Sequence, residues 1–362
     1  MITRRRFLAS TAAASAGLAA SPSPAAPAAI TTSKTDTEII LGEGDYRYRV
    51  THDWLQLPRK YSWQTTHNVA VDSQGLVYVI HQGHKDEKDH PTIFVFDPQG
   101  AYIRSFGAEF RGGGHGIEVR QEAGQDFLYV AAYKEVKAFA KLDTQGEVVW
   151  TQKAPMASGR YADGEDTASD NRSGRDAFLP TNFAFLDDGG FLLADGYGAY
   201  CIHHYDSQGE WQSSFGGAGK GPAQFDLPHG LWVDRRGAGE PLVVVADRQN
   251  ARLQWLTLGG QHVRTQEGFH LPANLDTHGE LLLVPDLLAE VVLLDGQNNV
   301  VARLGHDADW AKQVGEMKIR AQPQAWPAGR FIHPHDACFD HHGDILVAEW
   351  VSTGRVSKLT RV

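Results

Sequence analysis

Histidines recur at one position in a repeated motif of this 362-residue chain. His115, His229 and His335 each follow a short loop and open a segment in which apolar residues alternate with polar ones. Neutral imidazoles are good ligands of Zn²⁺, and three of them with one open position form a catalytic type of zinc site. If the fold brings the three side chains to one point, we predict a zinc ion there, although no short ligand motif such as HExxH is present.

The segments around these histidines belong to units of roughly 35–50 residues. Each unit contains an alternating strand, a glycine turn, a nearly continuous apolar strand and two further strands. Four strands at this period are typical of a propeller blade. We therefore predict an all-β, six-bladed β-propeller over residues 39–362. The units begin at His67, His115, Pro180, Pro228, Leu271 and Pro334.

The last unit has room for about three strands, so residues 39–50 are predicted to supply a fourth and to close the ring. A seventh blade would have to lie in residues 154–179, which are polar and poor in strand signals. We interpret that segment as a surface loop near the mouth of the tunnel. Residues 307–317 are the one stretch in which we expect a helix.

In a propeller, the first strand of each blade lines the central tunnel, so equivalent positions lie about 60° apart. Blades two, four and six then place their histidines about 120° apart at one depth. His67 occupies the same position in blade one and would lie beside the metal. It could be a fourth ligand, an acid or base, or a tunnel histidine held by hydrogen bonds.

Composition narrows the classes of partner. A formal net charge of −10 argues against a general nucleic-acid binder. No apolar run reaches the roughly 20 residues of a membrane span. We expect a small-molecule or peptide substrate and a monomer.

The N-terminus resembles a twin-arginine export signal, with Arg4, Arg5 and Arg6 before a short apolar stretch and small residues. We predict a signal peptide over residues 1–29 and a linker over residues 30–38. The mature protein would then be periplasmic or secreted.

Three motifs together resemble the NHL-repeat propeller of peptidyl-α-hydroxyglycine α-amidating lyases, over about residues 67–362. They are Pro180-Thr181-Asn182-Phe183-Ala184 with Asp195-Gly196-Tyr197, Pro228-His229-Gly230-Leu231 with Asp247-Arg248, and Pro334-His335-Asp336. The resemblance implies cleavage of a peptidyl-α-hydroxyglycine to a peptide amide and glyoxylate. It also implies a tunnel Zn²⁺ on His115, His229 and His335, and a structural Ca²⁺ nearby.

The same resemblance assigns roles to several other residues. Tyr197 matches the family's catalytic base, and Arg248 matches one of two active-site arginines. From the residue alone, Arg248 could equally form a salt bridge between blades. Asp336 and the carbonyl groups of Val69 and Ile117 match the Ca²⁺ ligands, and oxygen ligands of this kind suit Ca²⁺.

One departure from the family pattern concerns the second arginine. The family motif is His-Arg-Gly, whereas this chain has His81-Gln82-Gly83, so Gln82 stands in its place. Glutamine can donate a hydrogen bond but cannot neutralise a negative charge. His84 or Lys85 could compensate.

Three competing functions remain open from the sequence. The chain could be a metalloenzyme of the same fold that acts on another hydroxylated substrate. It could be a non-catalytic NHL propeller that binds a protein or glycan. A Ca²⁺-dependent lactonase-like propeller ranks last, because that class surrounds its metal with carboxylates and asparagines, whereas this tunnel position is rich in histidine.

Overall fold

A computed structural model describes residues 30–32, 38–168 and 171–362. The predicted signal peptide lies outside these residues. Of the predicted linker 30–38, the segment Ile30–Thr32 forms a short strand, and residues 33–37 lie outside the described part.

The described residues form six antiparallel sheets of at least four strands each, one for each predicted unit, so the predicted six-bladed β-propeller is confirmed. The strands of blade one are Thr66–Val71, Val77–His81, Ile93–Phe96 and Tyr102–Phe106. The strands of blade two are Gly114–Glu122, Gln125–Ala132, Ala138–Asp143 and Val148–Gln152. The strands of blade three are Phe183–Phe185, Phe191–Asp195, Cys201–Tyr205 and Trp211–Gly216.

The second half of the ring follows the same order. The strands of blade four are Pro228–Asp234, Leu242–Asp247, Arg252–Thr257 and His262–Gln266. The strands of blade five are Asp276–His278, Leu281–Asp286, Glu290–Leu294 and Val300–Leu304. The last three chain segments of blade six are Pro334–Phe339, Ile345–Glu349 and Arg355–Arg361.

The N-terminal region completes blade six and closes the ring. Tyr48–Thr51 pairs antiparallel with Arg355–Arg361, so the fourth strand comes from the start of the described chain. Ile39–Leu41 and then Ile30–Thr32 extend this sheet to six strands. Pairing the two ends of the chain removes an open edge at the point where the ring would otherwise separate.

The core lies between neighbouring blades. The second strand of each blade is nearly continuous in apolar residues, and in Val77–His81 every residue is buried. Side chains from adjacent sheets then form shared clusters: Ile80 of blade one packs in the same cluster as Ile117 and Val130 of blade two. Such burial contributes about 25 cal/mol per Å² of apolar surface, so the fold is stabilised mainly by contacts across blade boundaries.

The described helical segments lie in connections, most of them between blades and one, Arg248–Asn250, between two strands of blade four. The predicted helix is present as Ala308–Gly315, with Asp307 as its N-cap: the Asp307 carboxylate accepts hydrogen bonds from two backbone N–H groups of the first turn. The described 3₁₀ helices are Ala108–Phe110, Met156–Ser158, Arg248–Asn250, Lys318–Ala321 and Pro323–Ala325. Among the described residues, no helix is long and apolar enough to cross a membrane.

Candidate metal and active site

Four imidazoles converge at the centre of the propeller, each on the first strand of its blade and each at most 2% exposed. The Nε2 atoms of His115 and His229 lie 3.1 Å apart. The ring of His335 has its centroid 4.5 Å from that of His229 and 5.0 Å from that of His67. The rings of His67 and His115 are 4.9 Å apart. The position shared by blades one, two, four and six therefore does bring its histidines to one point.

Three of these imidazoles are oriented by the same contact with the next blade. In each of them Nδ1 bonds to the backbone carbonyl of the residue at the tunnel position of the following blade, which leaves Nε2 free as a lone-pair donor toward the axis. Metal-binding histidines are characteristically held by such a bond from the other ring nitrogen. The bonds are His115 to Thr181 O at 3.0 Å, His229 to Ala273 O at 2.7 Å and His335 to His67 O at 2.7 Å.

Glycines after two of the histidines allow this contact. A Cβ atom on Gly116 would lie 2.2 Å from the carbonyl oxygen of Thr181, and a Cβ on Gly230 would lie 2.2 Å from Oδ1 of Asn274. Both distances are well inside van der Waals contact, so a side chain would push neighbouring blades apart. Each His-Gly pair therefore combines a tunnel histidine with the close backbone approach that orients it.

His67 differs from the other three. Its Nδ1 is buried without a hydrogen-bond partner, and its Nε2 lies 3.5 Å from the Tyr133 hydroxyl. One nitrogen each from His67, His115 and His335 lie within 4.8 Å of one another. The cluster can thus offer this triad as well as the predicted triad that contains His229, and the two sets share two residues.

Burial keeps the cluster neutral. It lowers the pKa of His115 to about 3, where a hydrogen bond to the Thr181 carbonyl opposes it and Arg248 reinforces it. Burial also holds the pKa values of His67, His229 and His335 well below the ordinary value, and the neighbouring imidazoles act in the same direction. Neutral imidazoles at physiological pH are what a divalent metal requires, so the donor set fits a metal ion.

Tyr197 and Arg248 lie together on one side of the cluster. An Nη1–H of Arg248 donates to the Tyr197 hydroxyl at 3.3 Å. The Tyr197 ring has its centroid 5.4 Å from that of His115 and 5.6 Å from that of His229. The resemblance-based assignment of these two residues thus places them in contact with each other and beside the histidines.

Arg248 is an unpaired buried cation. The residue is 4% exposed, and in the part of the chain that the structure describes its Nε and Nη2 have no hydrogen-bond partner. No acidic side chain among the described residues forms an ion pair with it, so the salt bridge between blades is not observed. Burial lowers the pKa of Arg248, and Tyr197 opposes that shift. A buried guanidinium with free donors is well suited to bind a carboxylate in two-point contact.

Both residues open onto a cavity of about 300 Å³. Its walls also include His333, which the sequence analysis missed: Nδ1 of His333 bonds to Leu287 O at 3.0 Å, while Nε2 is buried without a partner. The rest of the wall is mainly apolar and comes from loops of blades three to six. The apolar lining residues are Leu227, Leu271, Leu287, Leu288, Met317 and Trp350.

Tyr133 is a second phenol at the site that the sequence analysis missed. Its ring lies 4.8 Å from that of His115 and 5.4 Å from that of Tyr197. The predicted surface loop packs here, because Ala177 and Leu179 are buried in one cluster with the two tyrosines. Tyr133 could have been found by comparing blades. It directly follows the second strand of blade two, and Tyr197 lies just after the second strand of blade three.

Gln82 and its neighbours lie at blade one. The Gln82 backbone N–H donates to Thr65 O at 2.9 Å. His84 contacts Gln64 through Nδ1 at 2.9 Å and His90 by ring packing, and Lys85 lines a separate cavity of about 650 Å³. Within the described residues, no hydrogen bond or ring contact joins His84 or Lys85 to the tunnel histidines.

A carboxylate layer lies next to the histidines along the tunnel. Asp336 accepts hydrogen bonds from the Val69 backbone N–H at 2.8 Å and from Asn274 Nδ2 at 2.5 Å. Glu118, one residue after Ile117, lines the same cavity of about 420 Å³. Burial raises the pKa of Asp336 to about 7, and burial together with the Asp336 charge raises that of Glu118. Buried Oδ1 atoms without partners add to this oxygen-rich layer, on Asn68, Asn182 and Asn274.

Comparison with known proteins gives two curated relatives. The chain is 26% identical over 211 residues to a probable peptidyl-α-hydroxyglycine α-amidating lyase of Caenorhabditis elegans, covering 53% of this chain and 55% of the relative. It is 29% identical over 192 residues to peptidyl-α-hydroxyglycine α-amidating lyase 1 of Drosophila melanogaster, covering 49% of this chain and 34% of the relative. The chain thus spans about half the length of one relative and a third of the other. No protein-family model matches the chain.

Solved structures support the fold alone. Virginiamycin B lyase of Staphylococcus aureus superimposes with a TM-score of 0.54 at 11% identity, covering 87% of this chain and all of the other. A catalytically inactive variant of that lyase with quinupristin gives a TM-score of 0.50 at 12% identity, covering 86% of this chain and all of the other. The curated relatives and the six sheets together confirm the resemblance that the motifs predict: this chain is a six-bladed propeller similar to peptidyl-α-hydroxyglycine α-amidating lyases.

Proposed function

We propose that this chain is an exported, metal-dependent lyase that cleaves N-acyl-α-hydroxyglycines to an amide and glyoxylate. The observation that carries this proposal is the convergence of four buried neutral imidazoles beside a Tyr197–Arg248 pair. Among the described residues, the guanidinium of this pair has no acidic partner. The similarity to two peptidyl-α-hydroxyglycine α-amidating lyases supports the same reaction class.

His115, His229 and His335 would hold the metal, because their Nε2 atoms are freed by anchored Nδ1 atoms. His67 would be a fourth ligand or a proton carrier. Zn²⁺ bound there would supply a Lewis acid for the substrate hydroxyl or carbonyl oxygen.

Tyr197 would move the proton. In the proposed reaction the substrate hydroxyl loses its proton, the C–N bond breaks, and its electron pair leaves with the amide nitrogen, which takes up a proton. The hydroxyl carbon becomes the aldehyde of glyoxylate, so no water or oxidant is consumed. The Arg248 guanidinium donates to the Tyr197 hydroxyl at 3.3 Å, and this contact would orient the phenol for the proton transfer.

The cavity favours a substrate that has a carboxylate at one end and an apolar group at the other. The free Nε–H and Nη2–H groups of Arg248 would bind the carboxylate. The leucines, Met317 and Trp350 would contact an apolar acyl group. Gln82 in place of the family arginine makes a related metalloenzyme acting on another hydroxylated substrate the second candidate.

The proposal includes a second ion. Ca²⁺ would bind at the carboxylate layer through Asp336 and the carbonyl oxygens of Val69 and Ile117, where hard oxygen donors are concentrated. Its role would be structural, because it would join blades one, two and six next to the catalytic histidines. Export through the twin-arginine pathway would place the folded enzyme in the periplasm or outside the cell.

The direct test is glyoxylate release from N-benzoyl-α-hydroxyglycine by the purified mature protein after loading with Zn²⁺. We expect glyoxylate and benzamide in equal amounts, above the spontaneous rate. Bound metal without glyoxylate would overturn the amidating-lyase reaction and favour the second candidate. Failure to bind a metal at all would favour a non-catalytic propeller.

A further inference from the structure

A cation outside the repeat motifs lies against the wall of the cavity, on the connection between blades five and six. Arg320 lies in the 3₁₀ helix Lys318–Ala321. Its Nε–H donates to Trp350 O at 3.0 Å, and its Cζ lies 3.4 Å from the centroid of the Trp350 ring. The Arg320 carbonyl accepts from the Ser352 backbone N–H at 3.1 Å. The side chain is therefore fixed on the tryptophan that forms one wall of the cavity next to Arg248.

Arg320 also contacts blade one beside Gln82. An Nη2–H of Arg320 donates to Thr65 Oγ1 at 3.0 Å, and the carbonyl of the same Thr65 accepts from the Gln82 backbone N–H at 2.9 Å. The Arg320 guanidinium thus lies close to Gln82, the position at which the family pattern has an arginine.

The charge of Arg320 is not neutralised by a carboxylate among the described residues. Its described hydrogen bonds use two of the five N–H donors of a guanidinium. The Trp350 ring on which Arg320 stacks lies 5.8 Å from the ring of His333, and both rings line the cavity together with Arg248. The two guanidinium groups therefore lie near one cavity, Arg248 on blade four and Arg320 on the connection between blades five and six.

We propose that Arg320 is a second substrate-binding residue, and that it and Arg248 together hold the carboxylate of an apolar N-acylated amino acid. This inference rests on the proposed function, because it assigns a second contact for the same substrate class. The guanidinium absent at position 82 would thereby be supplied from a different part of the chain. The alternative is that Arg320 only attaches the connection to Trp350 and Thr65.

The test measures binding rather than turnover, so it does not depend on the reaction. Metal-loaded protein is titrated with N-benzoylglycine and with its methyl ester, which lacks the negative charge. Because charge-assisted hydrogen bonds contribute about 1.5–3 kcal/mol, Arg320→Ala should weaken N-benzoylglycine binding about 10- to 100-fold. Ester binding should change less than about 3-fold, and Lys318→Ala, two residues away, serves as the matched control with wild-type values.

A relocated charge separates substrate binding from a merely structural role. The double variant Gln82→Arg/Arg320→Ala should regain most of the preference for N-benzoylglycine over its ester. Equal weakening of both ligands by Arg320→Ala, or no recovery in the double variant, would overturn the inference. Wild-type protein that prefers the carboxylate but releases no glyoxylate would refute the proposed reaction and leave the role of Arg320 intact.

Discussion

At the residue scale, the histidines of this chain differ in role because the two ring nitrogens of each imidazole have different partners. His229 uses Nδ1 for a backbone carbonyl and presents Nε2 to the tunnel. His81 uses both nitrogens for backbone groups, accepting from Gln64 N–H at 3.0 Å and contacting Pro91 O at 2.9 Å. His203 is held in blade three by Tyr161 and Trp211. Only the first arrangement leaves a lone pair for a metal.

We predict that Tyr197→Phe lowers kcat for glyoxylate release by about 100-fold or more, because proton transfer by a positioned group contributes about 10²–10⁴. Metal content should stay at the wild-type level, since Tyr197 is not among the predicted ligands. Tyr205→Phe is the matched control: Tyr205 is buried in the same blade, and its hydroxyl has no partner. A Tyr197→Phe variant with kcat near the wild-type value would remove Tyr197 from the proton-transfer step.

At the scale of elements, the strands could be predicted from sequence and the connections could not. Alternating and continuous apolar segments define the strands, because burial between blades selects them locally. The helix expected over residues 307–317 is present as Ala308–Gly315, since Asp307 supplies its cap. The consequence of this connection for the site was missed. Met317 lines the cavity, and Arg320 stacks on Trp350 of the cavity wall, only because the connection folds back over blades six and one.

The closing strand offers a pH test of ring closure. His52 follows Tyr48–Thr51; its Nδ1 contacts Ser357 Oγ at 2.7 Å and its Nε2 accepts from the Gly329 N–H at 3.1 Å. Burial lowers the pKa of His52 to about 4, with Glu349 opposing that shift. The unfolded chain, with its pKa near 6.5, then binds a proton that the folded protein excludes. The contribution of His52 to stability is therefore complete above about pH 6.5 and decreases as the pH falls toward 4.

We predict that wild type loses about 1.4 kcal/mol per pH unit relative to His52→Gln between about pH 6 and 4.5. Urea unfolding of both proteins at several pH values measures this difference directly. Glutamine does not titrate, so the substitution itself shifts the free energy of unfolding by the same amount at every pH. The test is therefore the slope of the difference against pH and not its value at pH 7. Parallel pH profiles would show that His52 is already protonated in the folded protein.

At the scale of the whole molecule, ring geometry converts distant sequence positions into one site. His115, His229 and His335 are far apart in the chain, yet the repeat alone predicts that they meet, because each occupies the tunnel position of its blade. That reasoning also located His67. It could not reveal His333 or Arg320, which lie in connections that the repeat does not constrain, nor which three of the four histidines bind a metal.

The carboxylate layer was predicted only in part for the same reason. Asp336 belongs to a sequence motif and could be predicted. Asp276 and the asparagines belong to no such motif, and their place in the layer is seen only when the blades are assembled. Burial raises the pKa of Asp276 to about 6, with backbone N–H donors opposing that shift. The carboxylate layer therefore forms because the first strands of different blades face the same tunnel, and no local sequence pattern predicts it.

The central claim is that His115, His229 and His335 of the tunnel bind a metal ion. Metal analysis of the mature protein after refolding with Zn²⁺ and exhaustive dialysis, comparing wild type with His229→Ala, tests it most directly. His262→Ala is the matched control, because His262 lies on the outer strand of the same blade. We predict close to one tunnel Zn²⁺ per chain in wild type and His262→Ala, and a clear loss in His229→Ala. A wild-type protein without bound transition metal, or equal metal content in all three proteins, would contradict the account.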